Sequence, residues 1–95
     1  DEISLWNDTI RKSPKKTRAY SERGNVYKNK GKLDEAMSDF NKAIDLDAAY
    51  ANAYNNRGIV YLSKGDPDKA LKDFNKAVDL NSKSAFFYYN RGSYY

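Results

Sequence analysis

Apolar and small residues recur along the chain at helical spacing. Tyr20, Gly24 and Tyr27 are separated by four and then three positions, and Tyr54, Gly58 and Tyr61 repeat the pattern. That spacing places each trio on one face of a helix. A glycine inside a helix weakens it by roughly 1 kcal/mol against alanine, so its presence implies close approach by a neighbouring helix. A second pattern follows each time: Ala36, Phe40, Ala43, Ile44 and then Ala70, Phe74, Ala77, Val78. Small residues around one large aromatic allow two antiparallel helices to interdigitate at short separation.

The punctuation between these runs agrees with helix pairs. Gly31 and Gly65 follow the first run of each pair, where a residue free to take positive φ ends a helix. Asp66-Pro67 then supplies an N-cap carboxylate and a first-turn proline for the next helix. Ser84 is placed to cap a helix starting at Ala85. The prediction is all-α.

The pairs are copies of one another. Thr17–Tyr50 aligns with Ala51–Ser84 without a gap, and 17 of the 34 positions are identical, among them Arg23/Arg57 and Leu46/Leu80. A further copy begins at Ala85 and runs to Tyr95, matching Ala51–Tyr61 at 6 of 11 positions. Upstream, Trp6 falls where Phe40 and Phe74 fall, Ile10 where Ile44 and Val78 fall, and Pro14 where Ala48 and Ser82 fall. A fixed period of this length marks a repeat solenoid. The expected organisation is one solenoid segment. Residues 1–16 form the second helix of a preceding repeat and its turn, 17–50 and 51–84 are whole repeats, and 85–95 is the first helix of another. Both ends fall inside repeats, so the segment is expected to derive from a longer array.

Composition narrows the function classes. At 40% hydrophobic and 15% aromatic residues, the chain has the apolar content to fold. Ninety-five residues are too few to enclose a substrate in a core. The opening Asp-Glu-Ile-Ser does not resemble a signal peptide, and no apolar run is long enough to span a membrane. Absence of cysteine excludes disulfides and thiol chemistry but leaves the compartment open. With no histidine either, the usual bases and transition-metal ligands are missing, and neither an enzyme nor a cofactor is expected. Asp45/Asp47 and Asp66/Asp68 lack the glycine and glutamate of a calcium loop. Net charge is +4, much of it from Arg11, Lys12, Lys15, Lys16 and Arg18, which read as a solvated inter-helix turn.

The motif Tyr20-x3-Gly24-x2-Tyr27…Gly31…Ala36-x3-Phe40-x2-Ala43, repeated as Tyr54-x3-Gly58-x2-Tyr61…Gly65…Ala70-x3-Phe74-x2-Ala77, resembles the tetratricopeptide repeat. The resemblance implies a right-handed superhelix of antiparallel helix pairs. The first helix of each pair would line a concave groove for a peptide or partner protein, and the second would form the convex back.

Helix phase then selects groove residues. With Tyr20, Gly24 and Tyr27 turned to the core, Arg18, Ser21, Glu22, Asn25 and Lys28 face outward. The second copy presents Asn52, Asn55, Asn56, Ile59 and Leu62, and the third Phe86, Tyr89, Asn90 and Ser93. Asparagine both donates and accepts, so it can pair with the backbone of an extended peptide of any sequence. Asn56 and Asn90, one repeat apart, would form successive rungs.

Family members that clamp a chaperone's C-terminal carboxylate use Lys, Asn, Asn, Lys and Arg. Those places are Ser21, Asn25, Asn56, Phe86 and Asn90 here, so all three cations are missing and the clamp is not expected.

Two other uses remain. Phe86, Tyr89 and Tyr94 are spare aromatics that could stack on RNA, although the basic cluster is not interleaved with them. Self-association is the main alternative, by end-to-end packing of uncovered helix faces or by helix exchange. For the latter, Asp47-Ala48-Ala49-Tyr50-Ala51 contains no helix breaker, so one helix could run from near Asp34 to about Ser63; a normal turn capped by Asp47 is expected ahead of it, because packing overrides propensity.

Overall fold

A computed structural model describes residues 1–94, with the backbone alone at Ala85, Phe86, Ser93 and Tyr94. Among them the chain forms six helices: α1 (Glu2–Lys12), α2 (Thr17–Asn29), α3 (Leu33–Leu46), α4 (Ala51–Ser63), α5 (Pro67–Leu80) and α6 (Ala85–Tyr94). The tightest pairings are α2 with α3 and α4 with α5, and each pair docks on its neighbours in chain order. The result is an all-α stack 40 × 25 × 19 Å in extent.

The glycines inside α2 and α4 have the packing reason that their cost demands. A Cβ on Gly24 would stand 2.8 Å from Phe40 Cε1, and one on Gly58 would stand 2.6 Å from Phe74 Cε1. Both phenylalanines are buried, flanked by the fully buried Ala36, Ala43, Ala70 and Ala77. Each aromatic ring therefore lies flush against its partner helix where no side chain intervenes.

The turns are equally regular. Gly31 and Gly65 take φ of 77° and 79°. In each case the glycine N–H and the next N–H return to the helix, Gly31 to Lys28 O and Lys32 to Tyr27 O at 3.0 and 2.9 Å. This is a Schellman closure, which satisfies carbonyls left open at a helix end. Asp66 caps α5 by accepting from Lys69 N, and Ser84 Oγ accepts from Phe87 N in α6.

The uninterrupted helix considered for Asp34–Ser63 does not form. The α3 helix stops at Leu46, and α4 begins at Ala51. Asp47 replaces the missing breaker: its Oδ1 accepts from Ala49 N at 3.0 Å, and its carbonyl accepts from Tyr50 N at 3.1 Å. The Tyr54 hydroxyl then donates to Ala48 O at 2.9 Å, as Tyr20 does to Pro14 O at 2.8 Å. Local side-chain bonds thus outcompete the helix propensity of two alanines.

A polar interlock repeats with the helices. Arg23 donates twice to Asp39, at 2.8 and 2.7 Å, and once back to Asn7 at 2.9 Å. Arg57 does the same with Asp73 and Asn41. Each arginine ties its own pair together and fastens it to the second helix before it. The bonded carboxylate keeps both guanidinium pKa values above the ordinary value, against the opposing effect of burial. At the other end of the chain, Arg11 and Lys12 of the basic cluster both pair with Asp8 on the exposed side of α1.

Candidate ligand-binding surface

Successive first helices α2, α4 and α6 carry the residues selected by phase, but they do not all reach one open surface. Arg18, Asn52 and Tyr89 are exposed, while Glu22, Asn25, Lys28, Asn56, Ile59 and Asn90 are half-buried. Ser21 and Asn55, equivalent positions in the two repeats, are only 3% and 1% exposed. They belong to the packing between elements and are corrected from groove lining to interior. Asn55 Oδ1 accepts from Asn90 Nδ2 at 2.9 Å, joining α4 to α6. The side chains of Phe86, Ser93 and Tyr94 lie outside what the structure describes.

Across α2 and α4, Lys28 Nζ donates to Asn56 Oδ1 at 3.3 Å. Burial lowers the Lys28 pKa, because a partly desolvated ammonium loses hydration that one amide oxygen does not replace. Near the start of α2, Arg18 Nε lies 3.9 Å from Glu22 Oε1.

Tyr50 joins this surface and was not selected by helix phase, because it lies in the turn before α4. Its phenol is raised, first by burial and then by the Glu22 charge, while Arg18 and the Asn52 amide pull the other way. Glu22, Tyr50, Arg18 and Asn52 therefore form one cluster spanning two repeats. Glu22 is the repeat equivalent of Asn56, so the face changes from acidic to amide along the stack.

Among the described residues, no group of histidine, cysteine or carboxylate side chains is disposed to hold a metal ion. What the face offers is hydrogen-bonding amides, a desolvated ammonium and modest apolar area from Ile59.

Family comparison agrees with the helix-pair architecture. Residues 24–65 match the family described as TPR repeat, and residues 51–84 match the tetratricopeptide repeat. The chain belongs to the tetratricopeptide-repeat family. No curated protein matches it. Its fold is that of the solved "First TPR of Spaghetti (RPAP3) bound to HSP90 peptide SRMEEVD", at 22% identity and a TM-score of 0.90, covering 97% of this chain and 73% of that one. It is also similar to YrrB, a TPR protein with an unusual peptide-binding site, at 25% identity and TM-score 0.89 over 94% of this chain. MamA resembles it at 26% identity and TM-score 0.87 over 98% of this chain. The chain spans 46% of the YrrB chain and 54% of the MamA chain.

Proposed function

We propose that the face built from α2, α4 and α6 is a scaffold surface that binds an extended peptide or peptide-like segment of a partner protein. The observation that carries this reading is the set of amides Asn25 on α2 and Asn52 and Asn56 on α4, with Asn56 bonded to Lys28 across the two helices. With its oxygen taken by Lys28, Asn56 keeps its N–H donors for a peptide carbonyl. Asn90, which has given an N–H to Asn55, keeps its oxygen for a peptide N–H. Donors and acceptors on successive helices suit the alternating groups of an extended backbone. Two relatives of the same fold are described as peptide binders, which supports the class of ligand. The carboxylate clamp is not part of the proposal, since Ser21, Phe86 and Asn90 stand where it needs cations.

The test is selection of decapeptides from a random display library, followed by affinity measurement on variants. Asn56→Ala and Asn25→Ala should each weaken the selected peptides about tenfold, as expected for loss of one or two hydrogen bonds. Unchanged affinity in both variants would reject this face as the site.

Self-association is a second reading, supported by Leu5 on α1 at 60% exposure and Tyr88 on α6 at 40%. Large apolar side chains exposed at the two ends of a helix stack favour contact between copies. Light scattering from micromolar to hundreds of micromolar should then show a mass that rises with concentration; a constant monomer mass would reject it.

A further inference from the structure

An open pocket of about 520 Å³ lies between α4 and α5. Tyr54, Arg57 and Tyr61 contribute from α4, and Lys69, Lys72 and Lys76 from α5. On α4, the pocket residues stand about half a turn around the axis from Asn52, Asn56 and Ile59, so the pocket and the amide face look in opposite directions.

The electrostatics are one-sided. Arg57 and Asp73, both in the lining, are spent on each other through two hydrogen bonds. That leaves three lysines against the single carboxylate of Asp79, with Lys69 also lying 3.6 Å from Asp66. The preceding repeat has the same floor, Tyr20, Arg23, Tyr27 and Asp39, but a different rim. Glu35, Ser38, Lys42 and Asp45 occupy the places of Lys69, Lys72, Lys76 and Asp79. The frame is thus shared, while the positive rim belongs to residues 51–84 alone of the two whole repeats.

We propose that this pocket is a second binding site and that it takes an acidic peptide segment. Lys69, Lys72 and Lys76 stand on consecutive turns of α5, spread over about 10 Å along its axis. An extended peptide places alternate side chains on one side at intervals of about 7 Å, so two carboxylates two residues apart both fall within that spread. A lone phosphate could meet only one adjacent pair of the lysines. Nucleic acid fits less well, because cations already stand over the tyrosine rings: Arg57 at 5.5 Å from Tyr54 and 5.8 Å from Tyr61, and Lys69 at 5.7 Å from Tyr61. Base stacking needs those ring faces.

The test is a titration of the ¹⁵N-labelled chain with blocked hexaglutamate, followed through backbone amide signals. Hexaglutamine, inorganic phosphate and hexauridylate serve as comparison ligands. Signals of Tyr61, Lys69, Lys72 and Lys76 should move with hexaglutamate and not with hexaglutamine, and added salt should weaken the effect. The double variant K72E/K76E should lose at least tenfold in affinity. Lys and Glu have similar helix propensities, so it should fold normally, which circular dichroism checks. The variant E35K/S38K should gain a second set of shifts on α3. Shifts scattered over all surface lysines, or confined to Asn25 and Asn56, would overturn the proposal. So would tighter binding of phosphate or hexauridylate than of hexaglutamate.

Discussion

The two whole repeats differ least where they touch themselves and most where they meet solvent. Residues 17–50 and 51–84 share Tyr20/Tyr54, Gly24/Gly58, Phe40/Phe74 and the arginine–aspartate bridges, with bond lengths agreeing to about 0.2 Å. Their outward positions diverge: Glu22 becomes Asn56, Asn25 becomes Ile59, and Glu35 becomes Lys69. Packing a neighbour imposes the same geometric requirement on every unit of a solenoid, whereas the surface is free to vary from unit to unit. Function in this chain is therefore sought at equivalent places that differ.

That contrast can be broken first in the core. Phe40→Ala and Phe74→Ala should each cost about 3–5 kcal/mol in urea unfolding, because each ring fills a site closed on all sides. Near-equal losses would confirm that the frame is shared; a large inequality would mean that one repeat carries the stability.

The bridges come next. Asp39→Ala and Asp73→Ala each strand a guanidinium whose two partner oxygens are gone, and should cost about 2–3 kcal/mol. Replacing Arg23 by Lys should recover little, since one ammonium cannot span both oxygens of Asp39.

On the surface side, Lys28 has no counterpart cation in the second repeat, where Leu62 takes its place. Its pKa is lowered in the folded chain, so its charge opposes folding at neutral pH, and that opposition fades as pH rises through the lowered value towards the ordinary 10.5. The stability of the wild type relative to Lys28→Met should therefore rise between neutral pH and pH 10.5. Mild acylation at neutral pH, read by mass spectrometry, should modify Lys28 ahead of the other lysines after correction for exposure.

The smallest effect is expected at the junction between the repeats. Ala48 follows the extended Asp47 (φ −149°, ψ 97°) and takes the place that Pro14 holds at the previous junction. Ala48→Pro should stabilise the chain by about 0.4–1 kcal/mol by restricting the unfolded state. A loss of stability, measured by thermal unfolding, would mean that the two junctions are not equivalent.

Much of this was legible in the sequence, for identifiable reasons. The glycine between two tyrosines implied close helix contact, and Phe40 and Phe74 lie against those glycines. Gly31 and Gly65 marked helix ends because few other residues tolerate the φ that they adopt. Ser21 and Asn55 were misplaced because they sit at the border of the outward arc. Whether a border residue is wet depends on the neighbouring repeat, which helix phase within a single helix does not include. Tyr50 escaped because a turn residue has no helical phase. The arginine–aspartate bridge was also missed, although its signal was present: Arg23 and Arg57 recur with an aspartate 16 positions later in both copies. At Ala48 the missing proline left a continuous helix open, but the turn capped by Asp47 that packing was expected to favour is the one that forms, and only the Tyr54 hydroxyl bond to Ala48 O was not anticipated.

If the amide face receives the peptide, the side-chain NH₂ signals of Asn25, Asn52 and Asn56 are the first to sense it. Titrating the ¹⁵N-labelled chain with a peptide selected from the display library should move these three sets of signals together, in step with saturation. If they stay in place while signals elsewhere in the chain shift, the peptide binds somewhere else and the account of this face is wrong.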